Sequence, residues 1–492
     1  MENNQLNEGL ENSSPKSLYD KITGSMLLKI FVIFFLTIIL LIPMALIGDL
    51  ISERKQRETQ VSTEIARKWG LEQVVSTPVI AVPYDAVHET IKPTTDGKQT
   101  TERIVVKEWA FLLPENSAIT AEVQPEPLKR GIFQAIVYNA KVTVKGNFKP
   151  FDLTKLDVPA TDLKWNEAKM VFGIQDTKGL SANPNVQWNG QGFPMDKYFQ
   201  ELDLFTNNLT TNLNLTGNED LNKPFQITMD LKGSKSLNFL PLAKQTTIHA
   251  SGNWANPSFN GNFLPEDREV NETFRANWSI PDFNRKLAQQ WTGEPVALYN
   301  FLGVDLASED VQMTDFPEPK VVGSAESSDK LTSNDYDMVQ INFLPNVNNY
   351  QKATRVTKYG ALVIALTFIS LIFMEIIKKQ RVHLIQYVLI GFAMVLFYAL
   401  LLAISEHIGF NLAYLLAAVA TILLIATFVR AITKDGKSAW IFGAILALFY
   451  TFIFVLLQLR DYSLIVGTVG LFIILAVLMR LSTKINWYQF EK

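Results

Sequence analysis

The sequence predicts a membrane protein: an α-helical bundle of six transmembrane helices, one N-terminal and five C-terminal, with a large β-rich extracytoplasmic domain inserted between helices 1 and 2. Three observations predict it. Apolar runs long enough to cross a hydrocarbon core of about 30 Å lie at 26–48 and, in close succession, across 359–480. Between them the pattern shifts to short segments rich in Val, Ile, Thr and aromatics, punctuated by Gly, Pro, Asn and Asp. The mean hydropathy of +0.11 is high for a soluble protein and low for a bare bundle.

Composition removes several classes of function. The chain has 492 residues, a net charge of −3 and no cysteine. The charge offers no basic surface for nucleic acid. The missing thiols exclude disulfides, thiolate metal sites and cysteine nucleophiles, so the extracytoplasmic domain must hold together by its core.

Residues 1–25 are polar and Asn-rich and read as a disordered cytoplasmic tail. Transmembrane helix 1 covers 26–48 and is apolar apart from Lys29. It reads as an uncleaved signal anchor, because no small-x-small site precedes the charged ISERKQRE segment. Pro43 is expected to kink or close it. Residues 52–70 read as a short helix leaving the membrane.

A periplasmic insert occupies 49–355, β-rich over roughly 72–350. Strands are expected within PVIAVPYDAV (78–87), ERIVVKEWAFLLP (102–114), FQAIVYNAKVTVKGNF (133–148), KMVFGIQD (169–176), PFQITMDLKG (224–233), KQTTIHASGNW (244–254), ETFRANWSI (272–280) and DMVQINFLP (337–345). Asp96-Gly97 suits a hairpin turn. The stretches 207–223 and 322–337 read as surface loops. Asn-Phe-Leu-Pro recurs at 238–241, 262–265 and 342–345. The plain reading is an apolar strand stopped by proline, and the sharper one is a duplicated β-unit.

Spans at 359–377, 384–405, 408–430, 438–459 and 462–480 form a five-helix domain at 356–481, followed by a cytoplasmic tail at 482–492. The loops after the second and fourth spans carry Lys378, Lys379 and Arg381, and Arg430, Lys434 and Lys437, while the tail carries Arg480, Lys484 and Lys492. Alternate loops carry no Lys or Arg, or Arg460 beside Asp461. The basic segments are therefore expected in the cytoplasm, with both termini, and 49–355 outside.

Motifs for chemistry are mostly absent. There is no GxxxxGK[ST], GxGxxG after a strand, HExxH or GxSxG. The four histidines, His88, His249, His383 and His407, show no metal spacing, and no cofactor is expected. The ionisable residues near helix ends are the better candidates, since charge at membrane depth is costly. Glu375 is expected to pair with Lys378 or Lys379 on its own helix, with a transport role as the alternative. Ser405, Glu406 and His407 close the third helix, as an interfacial cap or a proton-responsive contact. Small residues at helical spacing (Ala413, Ala417 and Thr421; Gly443 and Ala447; Ser463, Gly467 and Gly470) read as packing faces, as does the Tyr387, Gly391, Met394 and Tyr398 face.

Several longer segments carry a resemblance: TKYGALVIALTF at 357–368, QRVHLIQY at 380–387, AISEH at 403–407, NPSFNGNFLPEDREV at 256–270, DYSLIVGT at 461–468 and NWYQF at 486–490. From about residue 22 to 490 the chain resembles the CreD family. The resemblance implies a bacterial inner-membrane protein with a periplasmic domain, linked to cell envelope integrity, colicin tolerance and the envelope-stress response. It implies no catalytic residue. Within the resembling segments Ser258, Phe259, Gly261, Phe263, Leu264, Pro265 and Arg268 are candidates for a docking surface or a loop anchor. Arg381, His383, Gln386 and Tyr387 are candidates in the membrane domain. The expected function is non-enzymatic: a periplasmic domain, held at both ends and lying over the bundle, contacts a periplasmic or inner-membrane protein partner, with membrane lipids around the helices. The alternatives are a transporter or channel using the polar residues at helix ends, or a membrane enzyme acting on lipid-linked substrates.

Overall fold

A computed structural model of the protein describes residues 26–93, 99–198, 202–285, 287–299, 337–345, 349–378, 382–459 and 462–483. By its contacts the chain divides into two compact units, a helical one (Met1–Arg57 with Val347–Lys492) and a β one (Glu58–Asn346).

Among the described residues six helices are long and apolar enough to cross a membrane. They are α1 (Met26–Trp69), α3 (Gly360–Lys378), α4 (Leu384–Ile408), α5 (Phe410–Thr433), α6 (Gly436–Gln458) and α7 (Ser463–Ser482). A shorter helix, α2 (Asn349–Lys358), precedes α3; it is amphipathic and buries Tyr350, Ala353 and Val356.

The first helix does not close at Pro43, and the helix expected over 52–70 is its continuation to Trp69: α1 is continuous over 44 residues with Pro43 inside it. At 1.5 Å per residue it is about 66 Å long, some twice the hydrocarbon thickness. Pro43 removes one donor from the ladder, a loss that membrane helices absorb by local adjustment. Residues 52–69 lack Gly or Pro, so nothing stops the helix before Gly70, where φ is +155°.

Ile33, Leu36, Leu40, Met44 and Ile51 of α1 are buried, while Phe31, Phe34, Ile42 and Leu46 stay exposed. The buried positions recur every three, four or seven residues, one stripe of the helix. Gly391 of α4 sits on this stripe, where an added Cβ would lie 2.3 Å from Leu40. Ala413, Ala417 and Thr421 are buried along α5. Gly467 and Gly470 of α7 face Leu456 and Phe452 of α6.

The β unit is a sandwich of two sheets. One runs β14 (Pro257–Gly261), β18 (Val339–Phe343), β12 (Ser236–Leu240), β1 (Gln73–Ser76), β6 (Lys169–Ile174), β2 (Val79–Pro93), β3 (Gln99–Leu112) and β17 (Gln290–Gly293), with β10 (Asn207–Asn212) and β9 (Asp196–Tyr198) branching from β6. The other runs β15 (Asp267–Val270), β16 (Phe274–Pro281), β13 (Gln245–Gly252), β4 (Asn116–Arg130), β5 (Phe133–Asn147), β11 (Pro224–Ser234), β7 (Asn185–Trp188) and β8 (Gln191–Pro194). Ile80, Val82 and Phe172 from the first sheet share one core with Ile119, Tyr138 and Val142 from the second. The opposite face of the first sheet, with Val79, Ala81, Trp109 and Phe111, is covered by Leu204, Phe205, Leu298 and Tyr299. Burial on both faces explains why PVIAV and AFLLP read as continuous apolar runs. Ile65 and Trp69, at the end of α1, pack with Ala135 and Val137 on the outer face of β5.

The Asn-rich stretch at 207–223 is not a plain surface loop. Asn207–Asn212 pairs with β6, and Leu209, Leu213, Leu215 and Leu221 are buried. The alternating leucines outweigh the turn-forming asparagines. Two of the three Asn-Phe-Leu-Pro copies end strands, β12 and β18, which pair with each other, whereas the third follows β14. Asp96-Gly97 and the stretch at 322–336 lie outside the described residues.

Candidate functional site

The candidate residues at membrane depth resolve into two clusters in the helical unit, and both fasten α1. Lys29 lies four residues before Ile33 and Arg54 three after Ile51, so the buried stripe of α1 is bracketed by two cations. Twenty-five residues of helix separate them, about 38 Å, which is close to the full bilayer thickness of about 40–45 Å.

At the first end the Lys29 ammonium donates to Glu375 Oε1 on α3 and to the Val382 carbonyl, the latter at 2.7 Å. The second Glu375 oxygen accepts from the Tyr387 hydroxyl at 3.0 Å. Lys29 also lies 5.5 Å from the Tyr387 ring centre, and that ring meets Phe368 edge-on at 5.7 Å. The Lys29 and Glu375 side chains are 11% and 9% exposed. Both carboxylate oxygens are engaged, which offsets part of the desolvation of the two ions.

This corrects the expected partner of Glu375. Lys378 instead reaches Asp435, the cap of α6, at 3.0 Å. Bonds from Ser438, Lys378 and the Lys437 N–H hold the Asp435 carboxyl well below the usual carboxylate range. The helical spacing of Glu375 and Lys378 is real, but Glu375 faces α1 and Lys378 reaches the connection between α5 and α6. Lys379 lies outside the described residues.

At the second end the Tyr350 hydroxyl donates to Glu406 Oε1 at 3.1 Å, and Arg54 lies 3.8 Å from the same oxygen. Asn349 Nδ2 donates to the Ser405 carbonyl at 3.2 Å, and Ser405 Oγ to the Leu402 carbonyl at 2.9 Å. Glu406 thus joins α1, α2 and α4. His407 is exposed, while the partners of Glu406 are Tyr350 and Arg54.

His383 and Gln386 form the capping box of α4: His383 Nδ1 accepts from Ile385 N at 3.4 Å, and Gln386 Oε1 accepts from His383 N at 2.9 Å. The spacing in QRVHLIQY therefore starts a helix and delivers Tyr387 to Glu375. Arg381 lies outside the described residues.

The candidate block at 256–270 links the edges of the two sheets. Ser258, Phe259 and Gly261 lie on β14, and Arg268 is exposed on β15. Phe259 is buried against Phe274 and Trp278, at 6.1 and 5.7 Å between ring centres. Gly261 has φ +87° and approaches the Met338 carbonyl too closely for any side chain. The Phe263 carbonyl accepts from Trp278 Nε1 at 3.1 Å. Pro265 is half-buried, and Leu264 is 70% exposed.

Among the described residues no group of three His, Asp or Glu could hold a metal. Sequence reasoning missed Lys29, Arg54, Tyr350 and Asp435. One signal was present for Lys29: it is the lone charge in its span and Glu375 is the lone charge of opposite sign in another.

Two comparisons bear on this arrangement. Residues 25–488 match the family model described as inner membrane protein CreD. The chain is also similar to the inner membrane protein CreD of Escherichia coli (strain K12), at 26% identity over 465 residues, 93% of each chain.

Proposed function

The chain belongs to the CreD family of inner membrane proteins, and on that premise we propose that it is a non-enzymatic envelope protein whose β unit, on the periplasmic side, contacts a partner that maintains the cell envelope. Both termini face the cytoplasm in this reading, which rests on the basic loops.

The observation that carries the proposal is the β2–β3 hairpin. The two strands pair along their whole length, from Ile80 with Leu112 to Pro93 with Gln99. Among the described residues their neighbours support only the root: β6 pairs β2 at Val79–Ala81, Leu163 bridges Tyr84, and β17 pairs β3 at Trp109–Leu112. Beyond it a two-stranded ribbon carries Val87, Ile104 and Val105, exposed by 59%, 43% and 64%. Two-stranded ribbons are marginal in water, and exposed apolar groups on one mark a contact surface. In the helical unit, by contrast, Glu375 and Glu406 are consumed in fastening α1, which gives a transport pathway little to use.

The test replaces the opposed pair Val87 and Val105 by Val87→Glu with Val105→Lys. The new cross-strand ion pair keeps the ribbon and removes its apolar surface. In cells deprived of their own copy, the variant should accumulate in the membrane yet fail to restore the barrier to a small dye. Full restoration would overturn the contact reading. Turnover of a cell-wall or lipid-linked substrate by purified full-length protein would overturn the non-enzymatic one.

A further inference from the structure

Where α1 passes α2 and the start of α3, the helical unit contains a recess of about 350 Å³, within the size range of ligand sites, about 300–1,000 Å³. It exists because small residues meet there. Ala45 and Gly48 of α1 face Ala361 of α3, with Leu41 alongside, on helices whose other positions are mostly large and apolar. A Cβ on Gly48 would meet nothing within 4 Å, so the glycine is not there for close helix packing. One turn away the opposite holds: Met44 is seated on Gly360, where a Cβ would lie 2.3 Å from its sulfur.

The walls are hydrocarbon and the rim is cationic. Lys358 lines the recess, is exposed, and immediately precedes Tyr359 at the start of a spanning helix. That is the interfacial position where Lys and Tyr collect. Among the described residues Lys358 has no carboxylate partner. The helix that presents it, α2, carries Lys352, Arg355 and Lys358 and no acid. Lys352 lies over the Phe410 ring at 5.6 Å. The Thr354 and Thr357 hydroxyls donate to the Tyr350 and Ala353 carbonyls, leaving the ammonium as the donor at the rim. Asp49, beside Gly48 in sequence, does not line the recess.

We propose that this recess binds one anionic phospholipid, an acyl chain lying between Leu41, Ala45, Gly48 and Ala361 and its phosphate paired with Lys358. An empty apolar recess open to hydrocarbon is unfavourable, because its lining lacks partner atoms, and a methylene chain supplies them. The charge selects the headgroup.

Native mass spectrometry of the full-length protein in mild detergent tests this, with phosphatidylglycerol and phosphatidylcholine of identical chains as probes. The wild type should retain the first phosphatidylglycerol more tightly than the first phosphatidylcholine. Lys358→Gln should cut that preference about fivefold, weakening phosphatidylcholine less because its choline cation already offsets the phosphate. Gly48→Leu, which fills open space, should weaken both lipids. A wild type without preference, a preference that survives Lys358→Gln, or unchanged binding to Gly48→Leu would each overturn the assignment. Lys358 is exposed, so its variant reports on charge with the fold intact.

Discussion

Burying an ammonium and a carboxylate costs several kcal/mol for each ion, and the loss of one partner leaves the other with that cost unrelieved. Lys29 and Glu375 meet this condition, both nearly buried and joined by Tyr387 and the Val382 carbonyl. Lys29→Met and Glu375→Gln should each destabilise the helical unit by about 3 kcal/mol. The double variant should lose much less than the sum, since it leaves no orphan charge. Thermal unfolding in detergent by circular dichroism checks this, and additive losses would mean that the contact is not the coupled pair described. The pair also marks where sequence reading stops. A carboxylate with lysines three and four residues ahead invites a local pairing. Nothing local reports that the helix is turned so that Glu375 faces α1, 346 residues away. The capping box at His383 and Gln386 is of the other kind, because a cap is set by residues within one turn.

Among the elements, α1 shows why its helical state could be read and its packing could not. Lipid is as apolar as leucine, so the buried stripe through Ile33, Leu36 and Leu40 has the same composition as the exposed face with Phe34 and Ile42. Strand β4 was missed for a different reason. Its alternation is regular, with Ile119, Ala121 and Val123 buried, but Pro125 and Pro127 argue against a central strand. They are tolerated because β13 pairs with β4 only as far as Val123. The β2–β3 ribbon has its own chemistry. Glu108 accepts from the Tyr84 hydroxyl at 2.6 Å and lies 2.7 Å from His88 Nε2 across the strand pair. The Tyr84 bond, followed by His88, holds the Glu108 carboxyl below its ordinary value. Burial, and then Glu108, pushes Tyr84 up to about 12. A depressed carboxylate stabilises the fold above the ordinary range of about 4.3 and loses that contribution as the pH falls through its native value. A raised tyrosine contributes fully below about 10 and loses it as the pH rises toward its native value. Protection factors against amide exchange, with the intrinsic pH dependence of the exchange chemistry divided out, should therefore be largest for residues 82–89 and 103–109 of the full-length protein between these limits and fall on both sides. In Glu108→Gln the acid-side fall should disappear. If it persists unchanged, Glu108 is not its source.

At the scale of the whole molecule, what was legible is what the solvent imposes. Water and hydrocarbon demand different sequences, so the six spans and the β-rich insert stand out in hydropathy alone. Strand order does not, because a period of two says which face is buried and nothing about the neighbour. Hence the parallel pairing of β1 with β12 and of β4 with β13 had no sequence signal. The sidedness of the chain rests on a third kind of information, the asymmetry of Lys and Arg between loops. That asymmetry is strong after α3 and after α5 but nearly balanced around α1, where Lys16, Lys21 and Lys29 oppose Arg54, Lys55 and Arg57. An odd number of spans before residue 358 is fixed by α1, so one labelled loop decides the whole arrangement. The absence of cysteine makes the measurement direct, because any introduced thiol is the sole one in the chain. Lys145→Cys, exposed on β5, should react with a membrane-impermeant maleimide in spheroplasts. Lys437→Cys, exposed at the start of α6, should react only after lysis. The reverse pattern would place the β unit in the cytoplasm and remove the ribbon from any periplasmic partner. Labelling of both without lysis would mean that the α5–α6 loop and the β unit lie on the same side, which six spans in this order do not allow.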